Sequence, residues 1–137
     1  MQALVERAKA IASEYPGVEK VALSYSGGLD SVVVGRLLAL SGFKVLPVVV
    51  NVGQQSDFAR IERNAQKMFG DCAVVDARQE VADAMMRAIK SNFISDGRAN
   101  GVGIIRPVLA RALAQQARKS GCQAIAHGSS GMGNDQL

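Results

Sequence analysis

Three short polar segments hold the residue types that could do chemistry here: Ser24-Tyr25-Ser26-Gly27-Gly28-Leu29-Asp30-Ser31, Asn51-Val52-Gly53-Gln54 and His127-Gly128-Ser129-Ser130. In the first, two adjacent glycines let the backbone approach a ligand closely and adopt positive φ. Ser26 and Ser31 add hydroxyl donors. A helix starting here leaves its first N–H groups without helical partners, pointing into the same space. An anion suits such a turn, helped by a partial positive charge of about half a unit at the helix end. Asp30 is the odd member, because a carboxylate beside a bound phosphate is repulsive unless a cation lies between them. Mg²⁺ is the economical cation, since it pairs carboxylates with substrate phosphates. The plainer reading of Asp30 is a first-turn acid that only complements the helix dipole.

The elements that must position these segments alternate between helix and strand. Residues 2–15 have amphipathic spacing, with Leu4, Ala8, Ile11 and Ala12 on one face, and Pro16-Gly17 stops that helix. Lys20 to Tyr25 reads as a buried strand, and Asp30 to Leu40 as a helix ended by Ser41-Gly42. Val45 to Val52 is a β-branched run typical of a strand buried on both faces, although Pro47 removes a ladder donor. Ser56 is placed to cap a helix carrying Phe58, Ile61, Ala65 and Met68, closed by Gly70. Cys72 to Val75 predicts a short strand, Arg78 to Ser91 a helix, and 92–103 a glycine-containing loop. Arg106-Pro107 opens a helix running to Lys119, with proline at an early position where its missing N–H costs nothing. Cys122 to Ala126 predicts the last strand, and 128–137 a glycine-rich, mobile tail.

Such alternation predicts an α/β fold: a doubly wound parallel sheet of four to five strands, with helices on both faces. Ligands bind such sheets at the carboxyl ends of the strands, at a topological switch point. All three polar segments follow strands, so that end of the sheet is the expected site.

Composition excludes other classes. The 137 residues are 48% hydrophobic and 20% charged, as for a single globular domain. The longest apolar run is far too short to span a bilayer, and the acidic residues Glu6, Glu14 and Glu19 do not suit a signal peptide. Two cysteines and one histidine cannot build a disulfide scaffold or a multi-histidine metal centre, so a reducing cytoplasm is expected. The net charge is +4, and Arg87, Lys90, Arg98, Arg106, Arg111, Arg118 and Lys119 face only Asp96 as a counter-acid in their stretch. That surplus favours an anionic ligand, with nucleic acid allowed but not favoured. Solvated helix faces account for most of these residues equally well.

No Walker loop or dinucleotide fingerprint is present. Ser26-Gly27-Gly28-Leu29-Asp30-Ser31 instead resembles the SGGxDS loop of the N-type ATP pyrophosphatases, which transfer AMP from ATP to a substrate oxygen and release pyrophosphate. Ala126-His127-Gly128-Ser129-Ser130-Gly131-Met132-Gly133-Asn134-Asp135-Gln136 resembles the AHGxTGKGNDQ segment of argininosuccinate synthases. Asn51-Val52-Gly53-Gln54 resembles their DVGQ, and Arg106-Pro107 with Ala110-Arg111 their ARPxxA(K/R) helix start. The resemblance runs in order from Val21 to Gln136 and covers only the nucleotide-binding domain of a much longer family.

It implies ATP contacts at Ser24, Ser26, Gly28, Asp30, Ser31, the Val50 backbone and Gly128, and aspartate contacts at Ser130, Asn134 and Asp135. Tyr25, Gly27, Leu29 and Gly53 belong to the same nucleotide-binding turns, and Arg106 joins them because a guanidinium fork matches phosphate or carboxylate. Asp30 and Ser31 are the expected catalytic pair, with Asp30 meeting Mg²⁺ through the bound nucleotide. The implied activity is an AMP-forming ligation of an amino-group substrate such as aspartate to an activated ureido or carbonyl group.

Three departures stand out. The family lysine and threonine are Met132 and Ser130, and the citrulline-holding segment YEGxYxLGTS falls on Ile94 to Gly103 with its tyrosines replaced by Ile94 and Arg98. Its closing TS pair becomes Val102-Gly103. The helix within residues 1–17 is extra, and looks like the opening helix of the sulfur-inserting members. A nucleotide-binding module without turnover, and a sulfur-transfer enzyme acting on tRNA or a metabolite, therefore stand as alternatives. A second domain or partner chain, and self-association through open sheet edges, are expected.

Overall fold

The two most apolar runs become the central strands, β1 (Lys20–Ser24) and β2 (Lys44–Asn51). A computed structural model describes residues 2–93, 97 and 101–129, excepting the Ile11 side chain. Ahead of β1 lies α1 (Gln2–Ser13), and the remaining elements are α2 (Leu29–Leu40), α3 (Phe58–Phe69), β3 (Ala73–Asp76), α4 (Arg78–Lys90), α5 (Gly101–Lys119) and β4 (Ala124–Ala126). The strands form one parallel sheet in the order β3-β2-β1-β4. The chain steps outward from β1 to β3, then crosses back to set β4 on the far side of β1. The switch point therefore lies between the carboxyl ends of β1 and β4.

Alternation along the strands feeds two cores. Leu23, Tyr25, Val45, Val49 and Ala65 pack with residues of α2 and α3. Ala22, Leu46, Val48 and Val50 pack with Ala112, Leu113 and Ala117 of α5 on the opposite face. The fold is the doubly wound α/β class, with helices on both faces and four strands among the described residues.

Pro47 sits within β2 and is almost fully buried. The Val48 carbonyl accepts from the Tyr25 N–H at 3.0 Å, so Val48 faces β1 and Pro47, one residue away, faces β3. The β2–β3 ladder begins only at Val48, opposite Ala73, so the missing donor falls where there is no strand partner.

Three local expectations are corrected. The cap of α3 is Asp57 and not Ser56, its carboxylate accepting from the Arg60 N–H at 2.9 Å. Helix α5 starts at Gly101, inside the expected loop, so Pro107 lies within the helix and takes one donor from its ladder. Apolar packing of Val108 and Leu109 against the core outweighs the glycines and the proline there. Leu4 is 56% exposed, and the half-buried positions of α1 are Val5, Ala8 and Ala12.

Glycine sets how tightly α2 rests on the sheet. A Cβ on Gly35 would lie 2.7 Å from both Leu23 Cδ2 and Phe69 Cζ. A larger residue fits only if α2 lifts or both side chains shift.

Candidate functional site

The turn after β1 is built by its own small residues. Gly27 has φ +76°, and a Cβ there would also come within 3.2 Å of Ile61 Cγ1. The Ser31 hydroxyl, on a buried side chain, donates to the Gly28 carbonyl at 2.9 Å. Ser26 Oγ accepts the Gly28 N–H at 3.3 Å and lies 3.4 Å from Ser31 Oγ. With the Ser31 proton committed to Gly28, Ser26 is the donor between the two hydroxyls. The first ladder bond of α2 runs from the Val32 N–H to the Gly28 carbonyl, at 3.2 Å. The N–H groups of Leu29, Asp30 and Ser31 precede it, and no side chain among the described residues caps them. This is an anion-ready helix start with an acid, Asp30, in its first turn.

The turn after β4 closes the other side. Ser24, Ser26, Asp30, Ser31, His127, Gly128 and Ser129 line a cavity of about 220 Å³ at the switch point. Gly128 lies so near Asp30 that a Cβ on it would stand 3.1 Å from the Asp30 carbonyl carbon. His127 Nδ1 accepts the Ser129 N–H at 3.2 Å, which holds this second turn in shape.

The third turn is tied to itself. Gly53, with φ +97°, donates its N–H to Asn51 Oδ1 at 2.9 Å. Gln54 Oε1 accepts the Val52 N–H at 2.8 Å, while Gln54 Nε2 donates to the Val50 carbonyl at 3.1 Å. Neither Val50 nor Gly53 lines the cavity.

Comparison with known proteins bears on this arrangement. A family model described as the arginosuccinate synthase N-terminal HUP domain matches residues 20–137. The chain belongs to the argininosuccinate synthase family. It is 43% identical over 122 residues to the argininosuccinate synthase of Thermotoga maritima, covering 87% of this chain and 30% of that protein. It is 43% identical over 120 residues to that of Haloarcula marismortui, covering 85% and 29%. It is 39% identical over 122 residues to that of Saccharomyces cerevisiae, covering 86% and 29%. The chain thus spans less than a third of the length of these relatives. A solved NAD+ synthetase from Burkholderia pseudomallei is similar with a TM-score of 0.63 at 22% identity, over 93% of this chain and 62% of that chain. At that identity the likeness is one of fold.

Within this argininosuccinate synthase family domain, α1 precedes the matched region. Tyr25 is buried, its ring edge-on to Phe69 with centroids 6.0 Å apart, so its side chain serves the core. Burial lifts its hydroxyl above the usual range, and Cys72 adds to this. Leu29 turns its side chain outward, 77% exposed, and only its backbone faces the turn. Arg106 is half-buried in α5 and does not line the cavity. Ser130, Asn134, Asp135, Met132, Ile94 and Arg98 lie outside the described residues. Val102 and Gly103, at the family's TS positions, are exposed in the first turn of α5.

Sequence reasoning did not single out Gly35 or the side chain of Gln54. A glycine that packs closely within a helix has no local signature, and the Gln54 contacts depend on how its turn folds back. The basic surplus resolves into plainer roles. Arg87 and Lys90 end α4 and Arg118 and Lys119 end α5, where cations complement the helix dipole. Arg87 and Arg111 line a groove with Glu80 and Asp83, which offset them. Burial pushes the Cys72 thiol up to about 11, with Glu62 and Asp71 adding to it, and burial also raises Cys122 against the opposing influence of Lys20. Both remain thiols near neutral pH, unlike a reactive sulfur carrier. Among the described residues no cluster of three metal-ligating side chains exists, and no helix is long and apolar enough to cross a membrane.

Proposed function

We propose that this chain is an ATP-binding domain that holds the pyrophosphate leaving group of ATP in the turn after β1, as part of an AMP-forming ligase of argininosuccinate synthase type. The observation that carries it is the set of uncapped N–H groups at Leu29, Asp30 and Ser31, opening onto a cavity that the His127–Ser129 turn closes. These donors are fixed before any ligand arrives, and fixed dipoles stabilise charge developing on a leaving group. The Ser26 hydroxyl and the Gly27 and Gly28 backbone complete the cradle, with Ser24 and Gly128 at its walls. Val50 and Gly53 sit on the neighbouring strand end, beside the base and sugar.

Mg²⁺ fits here as a companion of the phosphates, because Asp30 is a carboxylate lining the cavity, the single one among the described residues. When bound, it neutralises charge on the phosphoryl oxygens. Asp30 faces that charge, and Ser31 holds the turn by its bond to Gly28. Ser130, Asn134 and Asp135 receive an aspartate-like amino substrate, and the acceptor is held by a second domain or partner chain. Residues 1–17 add a helix ahead of this single ATP-binding domain, and 128–137 form its tail. The unpaired outer edges of β3 and β4 among the described residues support self-association. A cytoplasmic setting agrees with the two unpaired cysteines.

Calorimetric titration with ATP and Mg²⁺, alone and then with citrulline and aspartate present, tests the reading. One ATP per chain with Mg²⁺-dependent affinity is expected. Absence of heat with both ATP and inorganic tripolyphosphate overturns it.

A further inference from the structure

Helix α4 is apolar on a side that no described element covers. Its Val81, Ala84, Met85 and Ala88 turn toward the rest of the fold, buried or half-buried. Ala82, Met86 and Ile89 are exposed, and they recur at intervals of four and three residues, the spacing of an apolar seam between paired helices. Met86 is 53% exposed and Ile89 71%. Phe93, just past the helix and also exposed, extends the seam by joining Met85, Ile89 and Ile104 around an open groove of about 400 Å³. Apolar surface gathered in this way marks an interaction site. Helix α4 lends no residue to the cavity at the switch point, so the seam is separate from the cup.

The charges beside the seam select its occupant. Arg78 is tied to Asp76, and along the rest of α4 the acids Glu80 and Asp83 come first and the bases Arg87 and Lys90 last. None of those four is in an ion pair among the described residues. Asp83 and Lys90 lie on one line beside the seam, two turns and about 10 Å apart, too far to meet within one helix. A second α4 laid alongside in parallel sets Asp83 against Asp83 and Lys90 against Lys90. Reversed, it sets Asp83 of each copy against Lys90 of the other, and a two-fold axis makes that pair twice. The same reversal brings Met86 to the axis and places the small Ala82 of one copy opposite Ile89 of the other, so bulk is shared evenly along the contact. We propose that the Ala82–Met86–Ile89 face of α4 binds a second copy of this chain, antiparallel, about a two-fold axis at Met86. A 13-residue helix is about 20 Å long, well short of a standard interface, so the association is weak and concentration-dependent.

Sedimentation velocity of the full chain, from low micromolar to near-millimolar concentration, tests this. A monomer–dimer equilibrium is expected. Met86→Glu sets two like charges together at the axis and leaves only monomer. Asp83→Lys and Lys90→Asp each put like charges face to face in both symmetric pairs, and each weakens the dimer about tenfold. The double variant Asp83→Lys/Lys90→Asp restores opposite signs and brings the affinity back to within about twofold of the unaltered chain. All three positions are exposed, so the fold survives each change, and unaltered far-ultraviolet circular dichroism checks that. A chain that stays monomeric at every concentration overturns the proposal and leaves the seam to another segment or another protein. A dimer that Met86→Glu leaves intact overturns it in favour of a sheet edge. Loss in both single variants without recovery in the double variant overturns the antiparallel pairing, and the proposal with it.

Discussion

Gly128 and Asp30, far apart in the sequence, are packed closely together: a Cβ on Gly128 would stand 3.1 Å from the Asp30 carbonyl carbon and 3.3 Å from the Asp30 Cβ. The contact joins the turn after β4 to the first turn of α2. Its tolerance for added atoms is small because the neighbours of such a Cβ include the Asp30 main chain, which cannot rotate aside.

Gly128→Ala is therefore expected to push the two turns apart. ATP affinity should fall about tenfold, equivalent to about 1.4 kcal/mol. Thermal unfolding should change little, since Gly128 is only half-buried. Calorimetry beside a melting curve checks this, and an unaltered ATP affinity would show that the contact does not shape the site.

Ser26→Ala and Asp30→Ala act on the cup itself. Each should weaken binding of ATP or Mg²⁺ by roughly 1–3 kcal/mol, the loss of a charge-assisted bond. Asp30→Ala should also flatten the dependence of ATP affinity on Mg²⁺ concentration. Retained affinity in both variants, read by calorimetry, counts against the proposed cup.

Gly35→Ala tests packing away from the chemistry. The new methyl meets Leu23 and Phe69 at 2.7 Å, so α2 must lift or both side chains must leave their rotamers. A cost of about 1–3 kcal/mol is expected for such overpacking, despite the better helix propensity of alanine. Chemical denaturation measures it, and a stabilised variant would mean that the helix rests more loosely than the geometry indicates.

Cys72 carries a pH dependence with a definite sign. Burial, with Glu62 and Asp71, raises its thiol from 9.0 to about 11 in the folded chain. The folded state holds this proton more tightly than the unfolded state does. Its contribution is complete below about pH 9 and is lost as pH rises through about 11. Denaturation midpoints should therefore fall across that window, and Cys72→Ala should reduce the fall. Alkylation of native Cys72 at neutral pH should be slower than that of a free thiol, because the thiolate is the reactive form.

Much of this was legible from local pattern. The strand–turn–helix at Lys20–Leu40 follows from an apolar run, two glycines and a second apolar run, and these are near-neighbour properties. The β-branched stretch around Pro47 also reads correctly as a central strand, but only the register explains why its proline is harmless. Boundaries governed by competition were not legible. Glycines at 101 and 103 favour a loop, yet packing against the sheet extends α5 through them. Asp57 and Ser56 are both good caps, and only the path of the chain selects Asp57.

The sequence by itself determined the alternation of elements and the glycine- and serine-built helix start at Ser26–Ser31. Periodicity and backbone chemistry act over a few residues, so they are written locally. The tertiary structure alone decided that β4 lies beside β1, that Gly128 abuts Asp30, and that Gln54 folds back on Val50 and Val52. Those relations depend on strand order and register, which are set by burying two apolar faces at once across the whole chain.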